Sequence, residues 1–392
     1  MSNTQKKNVP ELRFPGFEGE WEEKKLESII KVNSGKDYKH LDKGDIPVYG
    51  TGGYMTSVSE PLSEIDAVGI GRKGTINKPY LLEAPFWTVD TLFYCTPKKE
   101  TDILFILSLF RKINWKVYDE STGVPSLSKQ TINKINRFVP TNKEQQKIGK
   151  FFNKLDRQIE LQEQKLELLQ QQKKGYMQKI FSQELRFKDE NGNDYPEWEN
   201  VMLQKVLKDK TEGIKRGPFG GALKKDIFVE SGYAVYEQRN AIYDISNFRY
   251  YINENKYKEM QSFSVQPNDI IMSCSGTIGR LALIPHNYTK GIINQALIRF
   301  RTNHKIRSEF FLIFMRSNQM QRKILEANPG SAITNLVPVK ELKLIPFPLP
   351  VKFEQDKISQ FIHIINRRIE QSEKKIESLK NRKQGFLQKL FV

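Results

Sequence analysis

Between residues 144 and 182, apolar side chains recur in alternating steps of four and three. They are Ile148, Phe152, Leu155 and Ile159, then Leu166, Leu169, Tyr176 and Ile180, with Gln162 and Lys173 as polar breaks on the same grid. Residues 354–392 repeat the pattern with Ile358, Ile362, Ile365, Ile369, Ile376, Leu379, Phe386 and Leu390, broken by Ser372 and Lys383. A seven-residue apolar repeat held over five heptads predicts a coiled-coil seam, not an ordinary amphipathic helix. The two segments align without a gap at an offset of 210, and 17 of the 39 aligned positions are identical. They form an internal repeat, and the matched polar breaks argue against a generic surface helix, which need not repeat its interruptions. At about 1.5 Å per residue each predicted helix is roughly 58 Å long, a spacer length.

The repeat is larger than the helix. Residues 11–14 read ELRF and the same four return at 184–187, after which Trp21 matches Trp198 and Leu26 matches Leu203. Each half therefore comprises a lead-in, a globular part and a long helix: 1–143, then helix 144–182, then 183–353, then helix 354–392. Short β-prone runs broken by Gly and Pro predict strands at 67–70, 88–94, 270–272 and 295–300. One clear helix is predicted late in each globular part, 103–112 capped by Asp102 and 309–327 capped by Ser308, the latter stopping at Asn328-Pro329-Gly330. Strand and helix do not alternate as in a doubly wound sheet, so the expected class is α+β, two mixed α/β globular domains separated by two long helices. The first helix must run from the first domain to the second and the other must return. An antiparallel coiled coil and a pseudo-two-fold repeat follow.

Composition adds a partner. The chain of 392 residues carries 63 basic and 46 acidic residues, a net +17. The two helical segments hold +7 of this and the globular parts the other +10, where a nucleic-acid surface would need it. Met1–Pro10 is polar with no secretory h-region, and the longest apolar run, 103–110, is too short for a bilayer. No membrane partner is expected. Cys95 and Cys274 form no spacing motif and suit a reducing cytoplasm, and the four histidines are scattered, so no metal site is expected.

A local echo lies inside the globular parts. Gly74-Thr75-Ile76 corresponds to Gly276-Thr277-Ile278, each after a strand and each beside cations, Arg72 and Lys73 or Arg280. Such a turn is expected to offer backbone N–H groups and a hydroxyl to phosphates or base edges. The first domain thus contributes Arg72, Lys73, Thr75 and Asn77 as candidate DNA contacts. The second contributes Lys215, Arg216, Lys224, Gln238, Arg239, Asn240, Ser275 and Thr277, among which Gln, Arg and Asn are the side chains that read adenine and guanine bidentately. Catalytic motifs fail in context. Residues 69–74 match G-x-G-x-x-G but continue into Pro79 and Pro85 where a helix would be required, and Ser126-x-x-Lys129 lacks its partner motifs. No phosphate-binding loop of the G-x-x-x-x-G-K-[ST] type occurs, and no catalytic constellation was found.

The duplicated plan, the lead-in RFPGFEGEWEEKKL (13–26), GRKGTIN (71–77) with FWTVDTLFY (86–94), KRGPFGGALKKD (215–226) and the EQQKI and EQDKI helix starts resemble one family over nearly the whole chain. It is the specificity subunit of type I restriction–modification systems. The resemblance implies that the globular parts are target recognition domains, each reading half of a split double-stranded DNA target. The helices would set the gap and dock two methyltransferase subunits, with restriction/motor subunits joining the full complex. S-adenosylmethionine and ATP would be bound by those partners, so this chain would hold no cofactor and catalyse nothing. Two other classes compete: a self-contained DNA-modifying or DNA-cleaving enzyme with an unrecognised site, and a coiled-coil RNA-binding scaffold.

Gln162 and Ser372 lie near the midpoints of their helices, and a polar residue in a seam fixes register at some cost in stability. Replacing both with Leu is expected to raise the melting temperature of the full chain and to loosen the spacing between target halves. Unchanged melting together with unchanged spacing contradicts this role.

Overall fold

The computed structural model describes residues 8–326 and 338–392. The chain forms two compact units, Met1–Leu166 with Gln371–Val392, and Glu167–Glu370, so each long helix contributes to both. Strands of the first unit are β1 (Glu22–Lys25), β2 (Ile30–Ser34), β3 (Ile46–Gly50), β4 (Gly53–Val58), β5 (Ala67–Gly71), β6 (Tyr80–Leu82), β7 (Trp87–Thr88), β8 (Leu92–Pro97) and β9 (Asn136–Val139). They make a four-stranded sheet β2-β8-β5-β6, a three-stranded sheet β4-β3-β7 with β3 and β7 parallel, and the pair β1-β9.

In the second unit the strands are β10 (Glu199–Met202), β11 (Ile214–Arg216), β12 (Phe228–Val229), β13 (Tyr233–Tyr236), β14 (Tyr251–Ile252), β15 (Ile270–Ser273), β16 (Leu281–Leu283), β17 (Gly291–Ile293), β18 (Leu297–Phe300) and β19 (Pro346–Leu349). They repeat the plan as β11-β18-β15-β16, as β12-β14-β13-β17 with β13 and β17 parallel, and as the pair β10-β19. The sequence repeat of lead-in and helix therefore extends through sheets whose residues scarcely match.

A late helix and a long helix complete the first plan, and in the second the late helix is split. In the first unit α1 (Ile103–Lys112) is buried along most of its length and Asp102 caps it, accepting from Phe105 N at 2.8 Å. The long helix α2 runs Asn142–Phe181. In the second unit the expected single helix is two, α3 (Ser308–Met315) and α4 (Asn318–Glu326), and the long helix α5 runs Lys352–Lys389. Arg307, not Ser308, precedes the first turn, and the Ser308 hydroxyl meets Thr302 Oγ1 at 2.8 Å. The helix breaks because the Ser317 hydroxyl accepts from Met320 N at 3.2 Å and starts a new one. The expected stop at 328–330 lies outside the described residues. The run 88–94 is likewise two strands, β7 and β8 in different sheets, joined by a turn in which Leu92 N donates to Val89 O at 3.0 Å. At 295–300, only Leu297–Phe300 is extended.

The head of each long helix is locked by the same residues. Arg13 of the first lead-in holds Glu144 bidentately, both contacts at 2.8 Å, and Arg186 of the second holds Glu354 at 2.8 and 2.9 Å. Both carboxylates are within 1% of full burial. The next residue closes a second latch: Gln145 accepts from Asp102 N and donates to Pro140 O, while Gln355 accepts from Arg307 N and donates to Pro350 O.

Each unit also takes in the tail of the other helix. Phe391 packs on Trp21 and Phe105 at 6.2 and 5.6 Å, and in the second unit Phe181 packs on Trp198 and Phe310 at 6.4 and 6.1 Å. Within the first unit Phe151 meets Phe386 at 5.0 Å and Lys380 meets Glu163 at 2.7 Å; within the second, Phe361 meets Tyr176 at 5.0 Å. Residue numbers rise on one strand as they fall on the other, so the pairing is antiparallel. Most grid residues are buried or half-buried along this seam, while Tyr176 is exposed. Ile148, Phe152, Leu155, Ile159, Ile358, Ile362, Ile365, Ile376 and Leu379 are buried, and Leu166, Leu169 and Ile369 are half-buried. Ser372 is buried with its hydroxyl unpartnered among the described residues, and Gln162 is half-buried.

Glu354→Gln removes the charge from a buried site whose arginine keeps 22% exposure. The expected loss is about 3 kcal/mol, the low end for breaking a buried ion pair because Arg186 recovers some hydration. Urea unfolding of the full chain checks it, and an unshifted midpoint contradicts the latch.

Candidate nucleic-acid interface

In the first unit the chain leaves β5 at Gly71 and turns through 72–77. Gly74 sits at φ +86°, a conformation that L side chains rarely adopt. Arg72 N and Lys73 N donate to Thr91 O at 2.8 and 3.3 Å, Gly74 N donates to Pro125 O at 2.8 Å, and Leu127 N returns a bond to Arg72 O at 2.9 Å. The turn is thus clamped between the segment before β8 and residues 125–127. These three N–H groups, expected to be free for a ligand, are taken by the protein itself. What the turn offers is side chains: Arg72, Lys73 and Asn77 are exposed and Thr75 is half-buried. The guanidinium of Arg72 lies over the Phe93 ring at 5.8 Å, which stiffens it without neutralising it.

The second unit carries the counterpart after β15. Cys274 N donates to Ala296 O at 2.9 Å, the bond that Arg72 N makes in the first unit, so Ser275-Gly276-Thr277 stand where Lys73-Gly74-Thr75 stand. Gly276 has φ +65°. The sheet brings more residues to this turn than in the first unit. Arg216 ends β11 beside the Cys274 thiol, which burial pushes up to about 11 against the opposing charge of Arg216. That keeps the thiol neutral and unreactive. Gln238 opens a short helix (Gln238–Tyr243) beside Gly276: a Cβ built on that glycine would lie 3.8 Å from Gln238 Oε1. Arg216 Nε and Gln238 Oε1 are both buried without a partner among the described residues. Unpaired buried polar atoms are costly, and a ligand that pairs them recovers the cost.

The structure thus gathers Arg216, Gln238, Ser275 and Thr277 around one turn. Lys215 lies on the opposite side of β11, its ammonium 4.8 Å from the Phe263 ring centre, and exposed Lys224 lies against Gly221. Arg239 is half-buried beside Gln238. Asn240 is corrected to a structural residue. It is 2% exposed, its Oδ1 accepts from Glu237 N, and both Nδ2 hydrogens go to Ile245 O and Asn247 O, so its side chain is spent inside the fold and kept from a base edge. Phe219 was missed. It is 72% exposed and carries the Arg216 guanidinium at 4.8 Å, an aromatic held outside the core beside a cation. Its setting in Gly217-Pro218-Phe219-Gly220 was the available signal. Among the described residues, Arg72, Lys73, Lys215, Arg216, Lys224 and Arg239 make no ion pair, so both turns present uncompensated positive charge. No described helix is long and apolar enough to cross a membrane.

Residues 18–171 and 220–381 match the family described as the type I restriction modification DNA specificity domain. The type I restriction enzyme MjaVIII specificity subunit of Methanocaldococcus jannaschii is 23% identical over 349 residues, covering 84% of this chain and 76% of its own. The crystal structure of a type I restriction–modification S subunit from M. genitalium superposes with a TM-score of 0.64 at 15% identity, over 98% of this chain and 99% of that one. A chain from a structure addressing complex assembly and conformational transition of the type I R-M system gives 0.56 at 14%, over 94% and 97%.

Proposed function

The chain belongs to the type I restriction–modification DNA specificity family, as a non-catalytic DNA-recognition subunit, and from that premise we propose how its parts divide the work. Each globular part, 1–143 and 183–353, reads one half of a bipartite duplex target in the cytoplasm. The helical segments 144–182 and 354–392 set the unread gap and dock two methyltransferase subunits, which restriction/motor subunits join. The observation that supports this most is the repetition of one sheet order with one Gly-Thr-Ile turn at the end of the same inner strand, flanked by cations without ion pairs among the described residues in both units.

Lysine and arginine contacts to phosphates supply affinity and its salt dependence, and a few polar side chains supply sequence choice. Arg216 and Gln238 are the strongest base-reading candidates, since each already holds a buried unpaired atom. Arg72, Lys73, Thr75 and Asn77 serve the first half, with Ser275, Thr277, Lys215, Lys224 and Arg239 beside the two readers in the second.

Duplex binding by the full chain with its methyltransferase partners tests the division. Arg72→Ala combined with Lys73→Ala is expected to lower the slope of log affinity against log salt by about 2, since each lost phosphate contact contributes about 0.9. Discrimination among sequences in the other target half is expected to be unchanged. An unaltered slope, or RNA competing as well as duplex DNA, contradicts the reading.

A further inference from the structure

In the first unit Asp156 lies between two cations and ion-pairs with both Arg111 and Lys383. Lys383 is the polar break of the second helix, and its repeat counterpart is Lys173. Arg111 has a counterpart in Arg316. Asp102 and Arg307 occupy equivalent places, each giving its N–H to the latch glutamine, and nine residues further on stand Arg111 and Arg316. The offset of 210 puts Asn366 where Asp156 stands. By that alignment the second unit keeps both cations and has an amide at the repeat position of the carboxylate, although Asn366 is not itself among the groove-lining residues.

Lys173 and Arg316 remain neighbours, lining one groove of ≈ 740 Å³ between α2 and the break of α3 and α4. Burial, and then the charge of Arg316, hold the Lys173 ammonium below the ordinary lysine range. Lys174, Arg322 and Lys323 join the lining, and no Asp or Glu does so among the described residues. Arg316 also meets Asp244 at 3.1 Å, but that pair is 41% and 59% exposed and Asp244 does not line the groove. The corresponding cavity of the first unit is balanced, four carboxylates against four cations.

We propose that this groove of the second unit is a phosphate-binding site, in which an external phosphate group supplies the negative charge that Asp156 supplies in the first unit. A guanidinium and an ammonium converging from two elements suit the oxygens of one phosphate. The helix α4, which lines the groove through Arg322 and Lys323, also reaches the segment just after the recognition turn, where Gln321 donates to Gly279 O at 3.0 Å. A phosphate of the DNA backbone is thus one source and free phosphate the other. Only the DNA source rests on the function proposed above.

Two measurements on the full chain separate these. The first is melting in inorganic phosphate against chloride at equal pH and ionic strength. Wild type is expected to gain stability in phosphate, and Asn366→Asp, which restores the first unit's pattern, is expected to remove that gain, as is Lys173→Met. An equal phosphate effect in wild type and both variants overturns the site, and this arm uses no DNA. The second is duplex binding. If Asn366→Asp lowers the salt slope by about 1 with sequence preference unchanged, the ligand is a backbone phosphate. If duplex binding is unchanged while the phosphate effect is lost, the ligand is free phosphate.

Discussion

Everything else in the architecture depends on a buried carboxylate at the head of each long helix. Glu144 and Glu354 are removed from water and satisfied by lead-in arginines 131 and 168 residues away. An unpaired buried carboxylate is untenable, so the helix head can sit only where its lead-in arginine reaches it. In the second unit Trp198 Nε1 also donates to Glu354 Oε2 at 2.8 Å; Trp21 Nε1 makes no such bond, so the first latch is the looser copy. The neighbouring glutamines then tie each helix to the backbone just before α1 or α3. Direction and depth of both helices are fixed by side chains named in four-residue and two-residue motifs, ELRF and EQ.

Those motifs explain why so much was legible before the structure. The heptad grid, the lead-in and the helix starts are local patterns with physical causes, and burial follows the grid over most of its length, the buried Ser372 included, but not at the exposed Tyr176. What was not legible is non-local. The match of β2-β8-β5-β6 with β11-β18-β15-β16 lies in hydrogen-bond order, and hydrophobic residues substitute freely for one another in such strands. The run 88–94 looks like one strand because Thr88, Val89, Thr91, Phe93 and Tyr94 are all β-prone; only tertiary pairing assigns its two ends to different sheets. Ser317 starting α4 inside an apolar helical run was equally hidden, since a serine hydroxyl can cap or merely face water.

The candidate site was half legible for the same reason. The repeated Gly-Thr-Ile turn is a sequence feature, but whether its N–H groups are free depends on residues 91 and 125, far along the chain. Asn240 and Gln238 look alike in a polar stretch. One is spent on carbonyls inside the fold and the other carries an unpaired oxygen beside the turn. The divergence of Asp156 and Asn366 became meaningful only when Arg111 and Arg316 proved equivalent. A duplicated chain carries its own control, and charge differences between its copies mark where the two units have been put to different use.

The central claim is that two separate readers act at a fixed spacing. Sequencing methylated adenines in DNA from cells carrying this chain with the other subunits of its restriction–modification complex tests it most directly. The account predicts modified bases within two short specific blocks separated by a gap of constant length and arbitrary sequence. A single uninterrupted recognition block would contradict it.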